Sequence, residues 1–432
     1  MNTIAFKSIG CRTNQEEIQS LSFLLKSQGH SIVNDLSQAN IVIVNTCSVT
    51  DNTEIKTKRL IKSMIKKKPG IRVLVTGCMA QKEPESLLKI KGVHWVVGNT
   101  WKESIPSIIL NENKKLVHST IAKGSNPNGP NLKPSQIHTD EYRTRFLLKI
   151  QEGCDYSCSY CIVPLLRGPS RSVNRSQIMD ICHHALQCGY KEIVVTGTHI
   201  GQFSMSGNYT VVDLLKEMLS FKNDFRIRLS SLDPRDCTEE LFNLIVNESR
   251  MCKHIHLSIQ SFHNEVLKRM NRVNSDLDIF AEQLIAFKQS CKNAGIGGDF
   301  IVGFPGESNA MFEYTLKKIV QVGFNYGHVF RYSKRPGTRA VEMDKQVSET
   351  EKIHRSTILR KCFNDVRKKF IHGQLGTTIH TIIIEQEFPV KGITSNYIRV
   401  KVPNVRGMKN TWQKIKLIDY HPEQNICSAV IV

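Results

Sequence analysis

Three cysteines lie within eight residues in "QEGCDYSCSYCIVP": Cys154, Cys158 and Cys161. Thiolates spaced this closely are soft ligands for zinc or for an iron–sulfur cluster. A structural zinc site needs a fourth donor nearby. The histidines on offer are His138, on the far side of the preceding strand, and His183 and His184, in the next helical pattern. A C-x3-C-x2-C spacing instead suits three corners of one cubane cluster and leaves one iron without a protein ligand. An open coordination position is the mark of a metal site that must bind something else. A second set is dispersed: Cys11, Cys47 and Cys78 each close an apolar run, "TIAFKSIGC", "NIVIVNTC" and "IRVLVTGC". The other seven cysteines (Cys182, Cys188, Cys237, Cys252, Cys291, Cys362 and Cys427) show no ligand spacing and read as core or surface thiols.

These residues must be positioned by regular elements. The apolar runs of the first hundred residues alternate with helical patterns around Glu16–Lys26 and Thr53–Lys68, and such alternation implies a parallel sheet. Parallel strands bring their carboxyl ends to one edge, where open α/β folds bind ligands, so Cys11, Cys47 and Cys78 should converge. The segment Lys123–Ser135, "KGSNPNGPNLKPS", has no apolar period and reads as a linker. After it come six strand patterns, "FLLKI", "EIVVTG", "FRIRLSS", "HIHLSIQ", "GGDFIVGF" and "YGHVFRY", with helical patterns between them. Six βα units fit a partial barrel, with the Cys154 loop at the carboxyl end of its first strand. The last segment alternates strictly. In "NYIRVKVP", Ile398, Val400 and Val402 oppose Tyr397, Arg399 and Lys401; in "WQKIKLI", Trp412, Lys414 and Lys416 oppose Ile415 and Leu417. A small β-barrel with a basic, aromatic outer face suits nucleic acid. The fold class is α/β, in the order 1–115, a linker 116–139, a barrel 140–372 and a terminal β-barrel 373–432.

The 432 residues carry a net charge of +20, which draws the chain toward polyanions, nucleic acid first. No apolar run is long enough to span a bilayer, the N-terminus has no signal-peptide pattern, and thirteen cysteines without an export signal indicate a reducing, cytoplasmic setting with no membrane partner. Lys58, Lys62 and Lys66 recur at i,i+4 on one helix. Their mutual repulsion would be offset by a phosphate backbone. Arg167 and Arg171, just after the cysteine loop, suit phosphate or a cofactor carboxylate as bidentate donors.

C-x3-C-x2-C after the first strand of a βα partial barrel resembles the radical S-adenosylmethionine enzymes. Within them, "SIGCRTNQEE", "NTCSVT", "VLVTGCMAQ", "GCDYSCSYCIVPLLRGPSRS", "VVTGTHIGQF", "RIRLSSLDP", "DFIVGFPGES", "FRYSKRPGTRA" and "NYIRVKVP" resemble the methylthiotransferases over nearly the whole chain. The resemblance implies two [4Fe–4S] clusters, one on Cys154, Cys158 and Cys161 and an auxiliary one on Cys11, Cys47 and Cys78. It implies a radical core and a C-terminal TRAM barrel. S-Adenosylmethionine would take the open iron of the first cluster and yield a 5′-deoxyadenosyl radical; a second molecule would donate a methyl group to sulfur at the auxiliary cluster. An unactivated aromatic C–H is beyond any side-chain base, so the radical is needed. The same likeness places Thr196, Gly197, Thr198, Gln260, Ser261 and Gly303 around the cofactor. It also implies a tRNA anticodon loop as partner and an electron donor such as flavodoxin or ferredoxin. RNA contacts are expected from Lys58, Lys62, Lys66, Arg167, Arg171, Tyr397, Arg399 and Lys401.

The first-cysteine motif separates subgroups. "GCRTNQEE" is similar to the G-C-[KR]-x-N-Q-x-E form of enzymes acting on N6-threonylcarbamoyladenosine, and differs from the G-C-Q-M-N and G-C-P-K-N forms. Those two belong to enzymes acting on N6-isopentenyladenosine and on an aspartate of a ribosomal protein. The implied reaction is methylthiolation of C2 of threonylcarbamoyladenosine at position 37 of tRNA. The alternatives are those two other substrates, or a non-catalytic cluster protein that binds RNA.

Overall fold

The computed structural model describes all residues except 111–115, 119–136, 138–143, 273–275 and 378, so the linker sequence Lys123–Ser135 lies outside the described residues. The chain begins with a six-stranded parallel sheet. Its strands are β1 (Thr3–Ser8), β2 (Ser31–Val33), β3 (Ile41–Thr46), β4 (Arg72–Gly77), β5 (Val93–Val97) and β6 (Leu116–His118), in the order β2-β1-β3-β4-β5-β6. Three of these were expected from apolar runs that end in cysteine; β2, β5 and β6 extend the sheet at its edges. Helix α1 (Arg12–Ser27) starts directly after Cys11, and α2 (Asp51–Lys67) is capped by the Thr50 hydroxyl, which accepts the Thr53 N–H. Helix α2 buries Thr57, Ile61 and Met64 against β3 and β4 and leaves its lysines outside, which gives it its amphipathic period.

Six parallel strands follow. They are β7 (Arg145–Glu152), then β9 (Glu192–Gly197), β12 (Arg226–Leu229), β14 (His254–Gln260), β15 (Gly295–Val302) and β16 (Tyr326–Arg331). Short pieces fall between them: β8 (Arg171–Ser172), a hairpin of β10 (Ser204–Met205) and β11 (Tyr209–Thr210), and β13 (Ser231–Leu232). All six expected strands are present, in two sheets that meet between β12 and β14, where Ile227 bridges Met251. Alternation sorts their side chains. Phe146, Leu148, Ile150, Ile193, Val195, Ile227, Leu229, Ile255, Leu257 and Ile259 pack outward into the core under the helices. The intervening Leu147, Lys149, Glu192, Arg226, Arg228, His254 and His256 face the concave inner side, the lumen of a partial barrel.

Helix α1 lies along the open edge of β7: the Gln19 amide donates to the Leu147 carbonyl and accepts from the Leu147 N–H. A 24-residue helix, Glu349–His372, packs on β16 and leads to a closed barrel. Its strands are β17 (Ile379–Glu387), β18 (Val390–Thr394), β19 (Arg399–Val402), β20 (Trp412–His421) and β21 (Ile426–Ile431). Ile398, Val400, Val402, Ile415 and Leu417 fill this barrel, as their alternation requires. Among the described residues no helix is long and apolar enough to cross a membrane.

Candidate cluster sites and the barrel lumen

The first sheet gathers its three cysteines as the strand-end argument requires. Cys11 caps α1, Cys47 follows β3, and Cys78 opens the short helix after β4. Gly10 has φ +119, and a Cβ there would come within 2.5 Å of the Cys47 Cβ, so only glycine lets the two loops meet. Burial first, and then the charges of Cys11 and Cys78, push the Cys47 thiol up to about 12. Two asparagines attend the set. The Asn14 side chain donates to the Thr46 and Ile9 carbonyls and takes the Cys11 thiol on its oxygen; Asn99 approaches the Cys78 sulfur at 3.7 Å.

The second set occupies the loop after β7. The Cys154 sulfur lies 3.6 Å from His199 Nδ1, and Arg272 Nη1 lies 3.9 Å from the Cys158 sulfur. Burial, with the charges of Cys158 and Cys154, holds the Cys161 thiol at about 12. Thiols crowded in this way oppose one another's ionisation, and a bound cationic iron cluster is the partner that reverses that sign. The donor set therefore suits a cluster at each triad. Thr196, near the end of β9, is fully buried, and its Oγ1 has no hydrogen-bond partner among the described residues.

Between the triads lies a buried ionic network that sequence reasoning missed. Arg167 donates to Glu17 (2.8 Å), Glu152 (2.6 Å) and Asn14 (2.9 Å). Lys102 donates to Glu17 (2.5 Å) and Asn99 (2.9 Å), and Lys149 lies near Glu152 (3.2 Å) and Glu16 (3.6 Å). Three carboxylates meet three cations out of water. Burial works to raise the Glu17 pKa, but Arg167 and then Lys102 outweigh it and hold that carboxyl well below its usual range. The network joins α1 to β7 and to the helix Val163–Arg167, so it ties one cysteine triad to the other. The polar run "TNQEE" on a helix that must pack was its signal in the sequence.

Several expected contacts fall elsewhere. Arg167 is 4% exposed inside this network and does not reach RNA. Arg171 turns back on its own loop, donating to the Pro169 and Arg167 carbonyls. Ser261 is buried and shares hydrogen bonds with Thr315 and the His263 N–H, not with the cleft. The Gly303 N–H goes to Glu307. Gly197 and Thr198 do lie at the strand end: the Gly197 carbonyl accepts the Thr13 hydroxyl, and Thr198 Oγ1 accepts the Gly153 N–H. Gln260 ends β14, half-buried, with φ +68. His199 and Asp236 were missed. They are hydrogen-bonded to each other, and although burial opposes the charged imidazole, Asp236 and Cys154 hold its pKa up at about 9.

On the outer surfaces, Lys62, Lys66 and Arg399 are exposed and Lys401 half-exposed. Lys58 is engaged by Glu83 at 2.8 Å. Tyr397 departs most from expectation. It sits in a turn at φ +71 before β19, so it leaves the alternating face and enters the lumen. There it stacks on His254 (centroids 4.6 Å apart) and Tyr326 (5.5 Å), and Arg12 donates to its hydroxyl at 3.1 Å. Arg228 and Arg226, both paired with Glu192, donate to carbonyls of the same turn and its neighbours, Thr394, Ser395, Ile393 and Thr381. The terminal barrel thus closes the amino-terminal end of the lumen, and the Cys154 loop rims the other.

A concave sheet of six parallel strands with a three-cysteine loop after the first defines a radical S-adenosylmethionine core. The family model described as Radical SAM superfamily matches residues 148–319, and Uncharacterized protein family UPF0004 matches residues 3–98. A cobalamin- and [4Fe–4S]-bound radical S-adenosylmethionine methyltransferase, TsrM from Kitasatospora setae, shares the fold (TM-score 0.57, 13% identity, 79% of this chain and 77% of that one). Relatives resemble the chain from end to end. The threonylcarbamoyladenosine tRNA methylthiotransferase MtaB of Aquifex aeolicus is 32% identical over 92% of this chain and 96% of its own. That of Bacillus subtilis is 32% identical over 97% and 94%. The chain belongs to the radical S-adenosylmethionine methylthiotransferases, enzymes that work with a [4Fe–4S] cluster and S-adenosylmethionine.

Proposed function

We propose that this enzyme transfers a methylthio group to C2 of N6-threonylcarbamoyladenosine at position 37 of tRNA. The observation that carries the reading is the end-to-end similarity to two relatives named for that substrate. The "GCRTNQEE" motif supports it. In this reading Cys154, Cys158 and Cys161 hold one cluster and Cys11, Cys47 and Cys78 a second. Bound there, the clusters supply one-electron chemistry on S-adenosylmethionine and a place for the sulfur to be transferred.

The chain's own residues position and exclude. The Glu17–Arg167 network fixes the two triads relative to each other, as a reaction between groups held at both requires. Thr198 anchors the cysteine loop at Gly153. The Tyr397 turn packs across the far end of the lumen, on His254 and Tyr326. Residues 373–432 form the RNA module, with Arg399 and Lys401 facing out, and Lys62 and Lys66 on α2 add a second basic surface for phosphate. The test is anaerobically reconstituted enzyme given anticodon stem-loops that carry either threonylcarbamoyladenosine or isopentenyladenosine. Methylthio product is expected from the first alone. Product from the second alone would overturn the reading.

A further inference from the structure

On the inner wall of the lumen, outside the cysteine sites, three neighbouring strands bring His256, Asp299 and His328 together. Their ligating atoms all lie within 4.8 Å of one another. Asp299 faces His328 directly across the β15–β16 pairing. Gly297, two residues earlier on β15, has no Cβ because the Tyr326 ring occupies that space. His256 uses both ring nitrogens, one with the Tyr326 hydroxyl (3.0 Å) and one with an Asp299 oxygen (3.0 Å). The same Asp299 oxygen takes His328 Nδ1 at 2.9 Å. His328 differs from its two supports. Its side chain is 59% exposed, against 11% for His256 and 22% for Asp299, and its Nε2 has no partner among the described residues.

The pattern works as a buttress for His328. His256 is fully engaged, and the Asp299 carboxylate stays ionised because its two imidazoles outweigh the burial that opposes its charge. A carboxylate accepts only, so His328 Nδ1 donates to it, and in the neutral imidazole Nε2 is left as an acceptor on an exposed side chain. An acceptor on the lumen wall, between the cysteine loops and the Tyr397 turn, suits a hydroxyl on a bound substrate. We infer that His328, held by Asp299 and His256, is a specificity-determining residue that accepts a hydrogen bond from the hydroxyl of the threonylcarbamoyl substituent. This rests on the substrate reading above. An isopentenyl tail offers no such donor, and a site built around a hydrogen bond discriminates against ligands that lack it.

The test uses the reconstituted holoenzyme and two stem-loop RNAs, one carrying threonylcarbamoyladenosine and one its valylcarbamoyl isostere, in which a methyl replaces the hydroxyl. The unsubstituted enzyme should show a KM about tenfold higher for the isostere, the scale of one unmade hydrogen bond. His328→Ala should raise KM for the threonyl RNA about tenfold, with a smaller change in kcat, and leave the isostere's KM nearly where it was. His328→Gln, which keeps an acceptor near the same place, should recover part of the loss. Equal KM for the threonyl RNA in enzyme and His328→Ala, or losses from substitution and isostere that multiply, would overturn the assignment. So would one equivalent of zinc per chain that is lost in Asp299→Asn, which would make the triad a metal site. If the unsubstituted enzyme modified only isopentenyl RNA, the substrate reading itself would fail, and that is visible before any substitution is made.

Discussion

Replacing Arg167 by Met keeps most of the side chain's length and removes its charge. The network then holds Glu16, Glu17 and Glu152 against Lys102 and Lys149 alone, one carboxylate in excess. All six side chains of the parent network are at most 8% exposed. Removing one partner from a buried pair destabilises by about 3–5 kcal/mol, because the other charge stays behind without compensation. The loss should depend on pH. In the parent, Glu17 is held well below the usual carboxylate range, so its contribution is full above the unfolded pKa of about 4.3 and is lost as pH falls through the lowered folded value. Without Arg167 that stabilisation goes. The gap between parent and variant should be full from neutral pH down to about the unfolded pKa of 4.3 and should narrow only below it, as Glu17 protonates. Urea unfolding of the reconstituted proteins at several pH values measures it. Adding Glu17→Gln restores two anions against two cations and should recover a large part of the loss. A gap below about 1 kcal/mol, or one that does not change with pH, would refute the ionic account and leave only lost packing.

Other consequences follow from the same geometry. Reconstituted protein should hold about eight irons, two clusters of four. Cys158→Ala should lose 5′-deoxyadenosine formation while keeping about half of the iron. Cys47→Ala should still cleave S-adenosylmethionine and transfer no methylthio group; intact product yield would refute that division of labour. Gly10→Ala should lower iron content as Cys47→Ala does, since its Cβ would occupy the space of Cys47. Arg399→Ala with Lys401→Ala should weaken tRNA binding and reduce the slope of log affinity against log salt by up to about two, without altering iron content. This pair is a better probe than deleting the terminal barrel, which would also strip the Tyr397 turn from Arg226, Arg228 and His254.

Much of the molecule was legible in its sequence because repeating backbone geometry leaves repeating chemistry. Apolar runs between helical patterns located all six strands of the partial barrel, and the cysteines at three strand ends converged because parallel strands share an edge. The closed terminal barrel followed from the alternation of Ile398, Val400 and Val402. What was missed depends on contacts between distant segments. Arg167 read as a cation beside a cofactor loop, and only folding shows Glu17 waiting for it from 150 residues away. Tyr397 extended an alternating pattern by one residue, but its left-handed turn broke the period and sent the ring into the lumen. His256, Asp299 and His328 lie on three separate strands with no spacing that marks them. Their grouping is a property of strand register, which no single segment displays.

The central proposal is that this methylthiotransferase acts on threonylcarbamoyladenosine in tRNA. Mass spectrometry of tRNA nucleosides from a strain lacking the gene tests it most directly. The account predicts that 2-methylthio-N6-threonylcarbamoyladenosine disappears, that its unmethylthiolated precursor accumulates, and that any methylthio-isopentenyl nucleoside is unchanged. Loss of the methylthio-isopentenyl nucleoside with the threonylcarbamoyl one intact would contradict it.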